Sequence, residues 1–154
     1  MTIFCVSGNG IGAGKTYFAN KLNPNYVVSL AQPIREDLAG MYPGYPWHSK
    51  SQTDKNIICS ATGQTLRQMM VEYGQGKCRD DACYFPKRLV QKIMEHPTAS
   101  FAIDDLRKMC EIVYLREIFG DSLVHFHMVY PHAKAEPIYD AEELMVACDY
   151  LVTR

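Results

Sequence analysis

The run Gly8-Asn9-Gly10-Ile11-Gly12-Ala13-Gly14-Lys15-Thr16 constrains this chain more than any other feature. It follows a short apolar stretch, Thr2–Ser7, that carries Ile3, Phe4, Cys5 and Val6. A run of that length and character reads as a strand buried on both sides of a parallel sheet. After it, Lys15–Leu22 reads as a helix. A strand, a glycine-rich turn and a helix in this order form a recognisable unit. Glycines let the backbone curl until successive N–H groups point into one cavity, and the first helical turn adds its own unpaired N–H groups and the positive end of its dipole. Such a cavity attracts phosphate.

The pattern G-x-x-x-x-G-K-[ST] fits with one departure: Asn9 stands where the first glycine belongs, and Gly8 lies one residue earlier. Asparagine is among the residues that best tolerate a left-handed backbone, so Asn9 is expected to take that conformation and let the loop close. Gly8, Asn9, Gly10, Ile11, Gly12, Ala13, Gly14, Lys15 and Thr16 are then the expected binding loop for a nucleoside triphosphate. Lys15 reaches the β- and γ-phosphates and the Thr16 hydroxyl ligates Mg²⁺.

Downstream the chain alternates strand and helix. Tyr26–Leu30, Ser100–Ile103, Ser122–Val129 and Tyr150–Val152 read as strands. Pro33–Met41, Leu66–Tyr73, Tyr84–Met94, Arg107–Ile118 and Ala141–Ala147 read as helices. Gly74–Asp81 reads as a break, and residues 42–63 as irregular, punctuated by Pro43, Gly44, Pro46 and Gly63. The alternation predicts an α/β fold of the P-loop NTPase kind, a parallel sheet with helices on both faces. At 154 residues the chain has the length of one domain, since domains run to roughly 100–200 residues.

Ser100-Phe101-Ala102-Ile103 delivers Asp104 and Asp105 to a strand's C-terminal edge, where open α/β sheets carry their ligand crevice. Either carboxylate can orient the metal's water or accept a proton from the acceptor, with Asp104 the expected metal partner of Thr16. Asp105 also fits as a cap for the helix that follows. Arg107 stands where it can meet a phosphate. Arg35, Arg67 and Arg79, with Lys77 and Arg88, are further candidate clamps, since a guanidinium holds phosphate with a planar fork. Tyr45 and Trp47, beside Tyr42, offer faces for a nucleobase to stack on, or else pack beneath a long loop. His125 and His127 are two apart in a strand and share a face, but no third metal ligand accompanies them.

Charge and cysteine content narrow the setting. With 16 basic and 17 acidic residues the net charge is −1, so nucleic acid would have to be met by a local basic patch. The six cysteines include no C-x-x-C pair, no signal peptide is apparent, and no apolar stretch reaches the roughly 18 residues of a membrane span. The expected compartment is a reducing cytoplasm. The sequence does not set an oligomeric state.

The order of several segments resembles the bacteriophage deoxynucleoside monophosphate kinases. They are the glycine loop, Ser29-Leu30-Ala31-Gln32-Pro33-Ile34-Arg35, Thr65-Leu66-Arg67-Gln68-Met69-Met70-Val71-Glu72-Tyr73-Gly74, Ile103-Asp104-Asp105-Leu106-Arg107 and Cys148-Asp149-Tyr150-Leu151-Val152. The resemblance implies a nucleoside-monophosphate-kinase-like fold, ATP with Mg²⁺, a deoxynucleotide acceptor, and acceptor-phosphate or transition-state roles for Arg35, Arg67 and Arg107. The chain is short for that family and has no arginine-rich insertion to serve as a closing lid. In this it looks like a related branch of phage kinases that phosphorylate 5-hydroxymethyluracil within DNA, a step toward hypermodified thymine. The two acceptors remain alternatives. A nucleotide-binding module that regulates without turnover is a third reading, which the paired aspartates and the arginines oppose.

Overall fold

Neighbouring parallel strands cannot be joined by a tight turn; each needs a crossover, usually helical. The computed structural model, which describes residues 1–136 and 139–154, has five strands and four such crossovers. The strands are β1 (Thr2–Gly8), β2 (Tyr26–Val28), β3 (Ser100–Ile103), β4 (Leu123–Val129) and β5 (Tyr150–Thr153). They form one all-parallel sheet in the order β2-β3-β1-β4-β5. Helix α1 (Lys15–Lys21) links β1 to β2, α6 (Met109–Phe119) links β3 to β4, and α7 (Ala141–Ala147) links β4 to β5. Between β2 and β3 the chain runs through α2 (Gln32–Met41), α3 (Gln52–Lys55), α4 (Leu66–Asp80) and α5 (Tyr84–Met94). The expected α/β class and parallel sheet flanked by helices are present. Among the described residues, no helix is long and apolar enough to cross a membrane.

Where the sequence reading expects one domain, the chain's contacts cluster into two compact units: Met1–Leu30 with Pro86–Arg154, and Ala31–Phe85. In the first, β1 is the central strand, and Ile3, Cys5, Val6 and Ser7 are wholly buried. One face of the sheet carries Val6, Ala102 and Met128, packed with Ala19 and Phe18 of α1 and with Leu22, which caps it. Ala13 of the glycine loop is buried in the same cluster, so the loop is pinned by its own apolar residue. Side chains alternate along a strand, so Cys5, Ser7, His125 and His127 lie on the other face.

In the second unit, Leu38, Trp47, Cys59, Leu66 and Met69 form a core, with Ile34, Tyr42, Tyr45 and Tyr73 around it. Two expectations change here. Residues 42–63 are not wholly irregular, because Ser51 caps the single turn of α3 and Ile58 pairs with Thr65 as an isolated bridge. Nor does Gly74 break a helix. A capping box, Thr65 with Gln68, starts α4, which then runs unbroken to Asp80. A Cβ at Gly74 would lie 3.0 Å from Ile34 Cδ1, so this glycine permits close packing of α2 against α4.

Two boundaries also move. β2 stops at Val28 rather than Leu30, because Asp105 takes Ser29 and Leu30 as hydrogen-bond donors. α6 begins at Met109 rather than Arg107, because the N–H groups of Arg107 and Lys108 donate to the Glu111 carboxylate at 2.8 and 3.0 Å, a cap that ends the extended segment after β3.

Trp47 is only 2 % exposed and donates from Nε1 to the Tyr42 carbonyl at 2.8 Å. Trp47→Ala is therefore expected to destabilise the protein by roughly 3–5 kcal/mol, the usual cost of emptying an aromatic core site. Urea unfolding followed by circular dichroism measures it; a loss under about 1 kcal/mol would mean the indole is not core.

Candidate functional site

The strand order reverses at β1: the chain passes first to β2 and β3 on one side, then to β4 and β5 on the other. Ligands of open parallel sheets bind at the C-terminal ends of strands at such a switch point. The glycine loop leaves β1 there. Gly12 and Gly14 have φ of 82° and 88°, a left-handed backbone that only glycine adopts at little cost. Gly10 has φ 152° and a second constraint, for a Cβ there would lie 2.2 Å from the Lys134 carbonyl oxygen. That approach is part of a two-bond bridge in which Ile11 and Lys134 exchange backbone hydrogen bonds of 2.8 Å each.

Asn9 does not have positive φ. The expectation of a left-handed Asn9 is corrected by what its side chain does. Its Nδ2 donates to the Tyr130 carbonyl at 2.9 Å and its Oδ1 accepts from the Tyr130 N–H at 3.2 Å, while its own N–H reaches the Met128 carbonyl at 3.1 Å. Asn9 thus extends the β1–β4 ladder with a side-chain amide, and the loop's sharp curvature falls to the glycines after it.

Lys15, Thr16, Asp104 and Arg107 come together at this edge. Thr16 Oγ1 donates to Asp104 Oδ2 at 2.8 Å, joining the first turn of α1 to the end of β3. Asp104 is 5 % exposed. The methylene stem of Lys15 lies over Gly8, and its Nζ donates to the Gly10 carbonyl at 3.4 Å. Burial, and then the charge of Arg107, pull the Lys15 ammonium below its usual pKa. Both cations lie over the ring of Tyr139, Lys15 Nζ at 4.9 Å and Arg107 Cζ at 5.2 Å from its centroid. Burial pushes the Tyr139 phenol up, partly offset by the nearby Arg107 charge and its hydrogen bond. Arg107 Nε is buried with no hydrogen-bond partner among the described residues. Two cations over one ring, one of them with a buried unsatisfied donor, define a place for an anion.

Asp105 is arranged differently. Its Oδ2 accepts from Ser29 Oγ and its Oδ1 from the Leu30 N–H, both at 2.7 Å. It anchors the segment after β2. It does not cap α6, whose N-cap is Lys108.

Arg35, Arg67, Arg79, Tyr45 and Trp47 belong to the second unit. Arg35 stands in the first turn of α2, its Nε buried and without a hydrogen-bond partner among the described residues. Arg67 is exposed on α4 and donates to Gln52 Oε1. Arg79 is exposed in the last turn of α4, where a cation also suits the helix dipole. Lys77 lies over the rings of Tyr73 and Tyr84. Trp47 is a correction: buried in the core, it has no face to offer a nucleobase. The Tyr45 hydroxyl is engaged with Ser60, accepting from its N–H at 2.9 Å and lying 3.0 Å from its Oγ.

Three residues at the loop escaped the sequence reading. Tyr139 lies in a stretch without periodicity, and nothing in its neighbours signals a partner for Lys15. Lys134 serves through its backbone, which no side-chain pattern encodes. Arg154 brings a guanidinium nitrogen to 2.8 Å from where a Cβ on Gly14 would stand, and covers the Tyr130 ring at 4.9 Å. Among the described residues, no three His, Cys, Asp or Glu side chains cluster as a metal site. Compared with known proteins, the chain matches no protein-family model and no curated protein.

The Asn9 geometry has a direct test. If Asn9 served as a glycine substitute, Asn9→Gly would be harmless or stabilising. Because its amide makes two backbone hydrogen bonds, the substitution is expected to cost roughly 1–3 kcal/mol, read from urea unfolding.

Proposed function

We propose that this protein is a P-loop phosphotransferase, moving the γ-phosphoryl group of ATP to a deoxynucleotide acceptor. The observation that carries the reading is the 2.8 Å hydrogen bond between Thr16 Oγ1 and Asp104 Oδ2. It unites a hydroxyl at the start of the helix after a glycine loop with a carboxylate at the end of the neighbouring strand. Those are the two protein groups that hold Mg²⁺ in P-loop enzymes. The donor set fits that ion. Both ligands are hard oxygens, and Mg²⁺ needs only one or two from the protein because it keeps water and takes phosphate oxygens. When bound, the ion neutralises charge on the β- and γ-phosphates.

The remaining work falls to the chain's own groups. Backbone N–H groups of the loop and of the first turn of α1 cradle the phosphates. Lys15 gives up its weak bond to the Gly10 carbonyl for a phosphate oxygen, and Arg107, over the same Tyr139 ring, supplies a second cation. Phosphoryl transfer makes little use of covalent help, so cations placed where charge develops supply most of the catalysis. The acceptor oxygen bonds to the γ-phosphorus as the bond to the β,γ-bridging oxygen breaks, and ADP leaves.

The narrower reading is that the acceptor is the hydroxymethyl oxygen of 5-hydroxymethyluracil in DNA, in phage DNA modification. It is supported by the lack of an arginine-rich insertion among these residues. Such a hydroxyl must also lose its proton, to Asp104 or Asp105. The second reading is a free deoxynucleoside monophosphate as acceptor, which is already anionic and needs only clamps. The burial of Trp47 favours it by removing the expected stacking platform for a flipped base, and so does the commitment of both Asp105 oxygens to Ser29 and Leu30.

A γ-³²P transfer assay offering free monophosphates, ordinary DNA and hydroxymethyluracil DNA side by side distinguishes these readings. Label in no acceptor, under conditions where ATP binds, points instead to a regulatory nucleotide-binding module. Lys15→Ala is expected to stay folded and lose at least about a hundredfold in transfer; near-normal turnover would sink the proposal. Asp104→Asn and Asp105→Asn should part ways. The first is expected to lose roughly a hundredfold in rate. The second is expected mainly to lose stability, by about 1–2 kcal/mol, since its oxygens hold backbone and hydroxyl donors. Equal effects on rate would put the metal-orienting carboxylate elsewhere.

A further inference from the structure

Below the glycine loop lies a buried polar cluster with no part in phosphate binding. Ser7 Oγ stands 2.7 Å from His125 Nε2 and 2.8 Å from His127 Nδ1. All three side chains are buried, Ser7 and His125 completely. The β1–β4 register sets Ser7 beside His127 and Cys5 beside His125, so the hydroxyl bridges two imidazoles stacked along one face.

A hydroxyl has one proton to give, so Ser7 donates to one ring and accepts from the other. His125 Nδ1 decides which. It is buried with no hydrogen-bond partner among the described residues. A proton there would be a buried, unsatisfied donor, which proteins avoid more strictly than an idle acceptor. His125 therefore carries its proton on Nε2 and donates to Ser7, Ser7 donates to His127 Nδ1, and His127 keeps its proton on Nε2. Protonating His127 on Nδ1 would turn both rings into donors toward Ser7, or reverse the chain and force a proton onto His125 Nδ1.

The surroundings reinforce this. His125 faces Arg116 of α6 and Asp149, whose Oδ2 accepts the His125 backbone N–H at 2.8 Å, with the buried thiol of Cys5 alongside. Burial, then Arg116 and His127, bring His125 down to about 4. His127 faces Lys15 of α1, and burial, then that charge, lower it too.

We infer that Ser7, His125 and His127 form a directed hydrogen-bond chain that keeps His127 neutral and so insulates the glycine loop from pH. Ser7 directly precedes Gly8, against which the Lys15 stem lies. A neutral His127 leaves Lys15 as the cation at that corner of the loop, at any pH where the chain holds. The functional half of this inference rests on the phosphate-loop reading; the direction of the chain does not.

Long-range ¹H–¹⁵N NMR of histidine-labelled protein without ligand tests the chain. Both rings are expected as the Nε2–H tautomer, and neither should titrate between pH 8 and 6. An Nδ1–H tautomer on either ring, or a midpoint near the ordinary ~6.5, would overturn the inference. Ser7→Ala, which removes the donor to His127 Nδ1 while burial and the Lys15 charge remain, should raise the His127 midpoint above that of wild type. Its affinity for ATP with Mg²⁺, divided by that of wild type, should then rise about threefold or more from pH 8 to 6, as an imidazolium appears beside Lys15. Ser7→Thr, which keeps the hydroxyl, should follow wild type. A ratio that stays flat while Ser7→Ala is folded would overturn the insulating role. Wild type with the expected tautomers but no affinity for ATP would instead overturn the phosphate-loop reading, and the insulating role with it.

Discussion

The hydrogen bond from Thr16 to Asp104 holds the site to the fold. One partner opens α1 and the other ends β3, so the bond fixes the helix that carries the glycine loop to the strand next to β1. Its geometry follows from the sheet. Parallel pairing of β1 with β3 sets Cys5 beside Ile103, and the chain continues past each partner on the same edge. Ala13 secures the loop from within the core, Asn9 from the β4 side and Lys134 from above through its backbone. Lys15 and Arg107, both half-buried, then stand over one aromatic ring, and Arg107 Nε has no hydrogen-bond partner among the described residues.

Much of this was legible in the residues. Apolar runs ending in glycine or aspartate mark β1 and β3, because a buried parallel strand has no polar face to blur its limits. The loop was legible for the same reason, since few sequences place so many glycines between a strand and a helix. Gly74 was misread because a breaker and a packing glycine look alike until the facing helix is known, and here Ile34 decides between them. Asn9 was misread because backbone tolerance is a local property, while its actual role is a pairing with Tyr130 from a distant strand end. The start of α6 depended on Glu111 reaching back to two N–H groups, a cap that the Arg107–Ile118 helix reading left out.

Tyr139 and Arg154 show a different limit. Both reach the loop from parts of the chain more than a hundred residues away in sequence, and neither belongs to a motif. Trp47 marks the boundary between composition and position. An aromatic in a long loop suits either stacking or core packing, and the indole N–H bonded to Tyr42 decides for the core.

The chain contains a single tryptophan, and it lies in the core of the unit formed by Ala31–Phe85. Its indole is shielded from water and fixed by a backbone carbonyl. Tryptophan emission is therefore a built-in local reporter. A red shift on heating or in denaturant marks the opening of that unit, whatever the five-stranded sheet is doing. Circular dichroism sees both. A difference between the two transitions would show the units melting separately, with no label added to the protein.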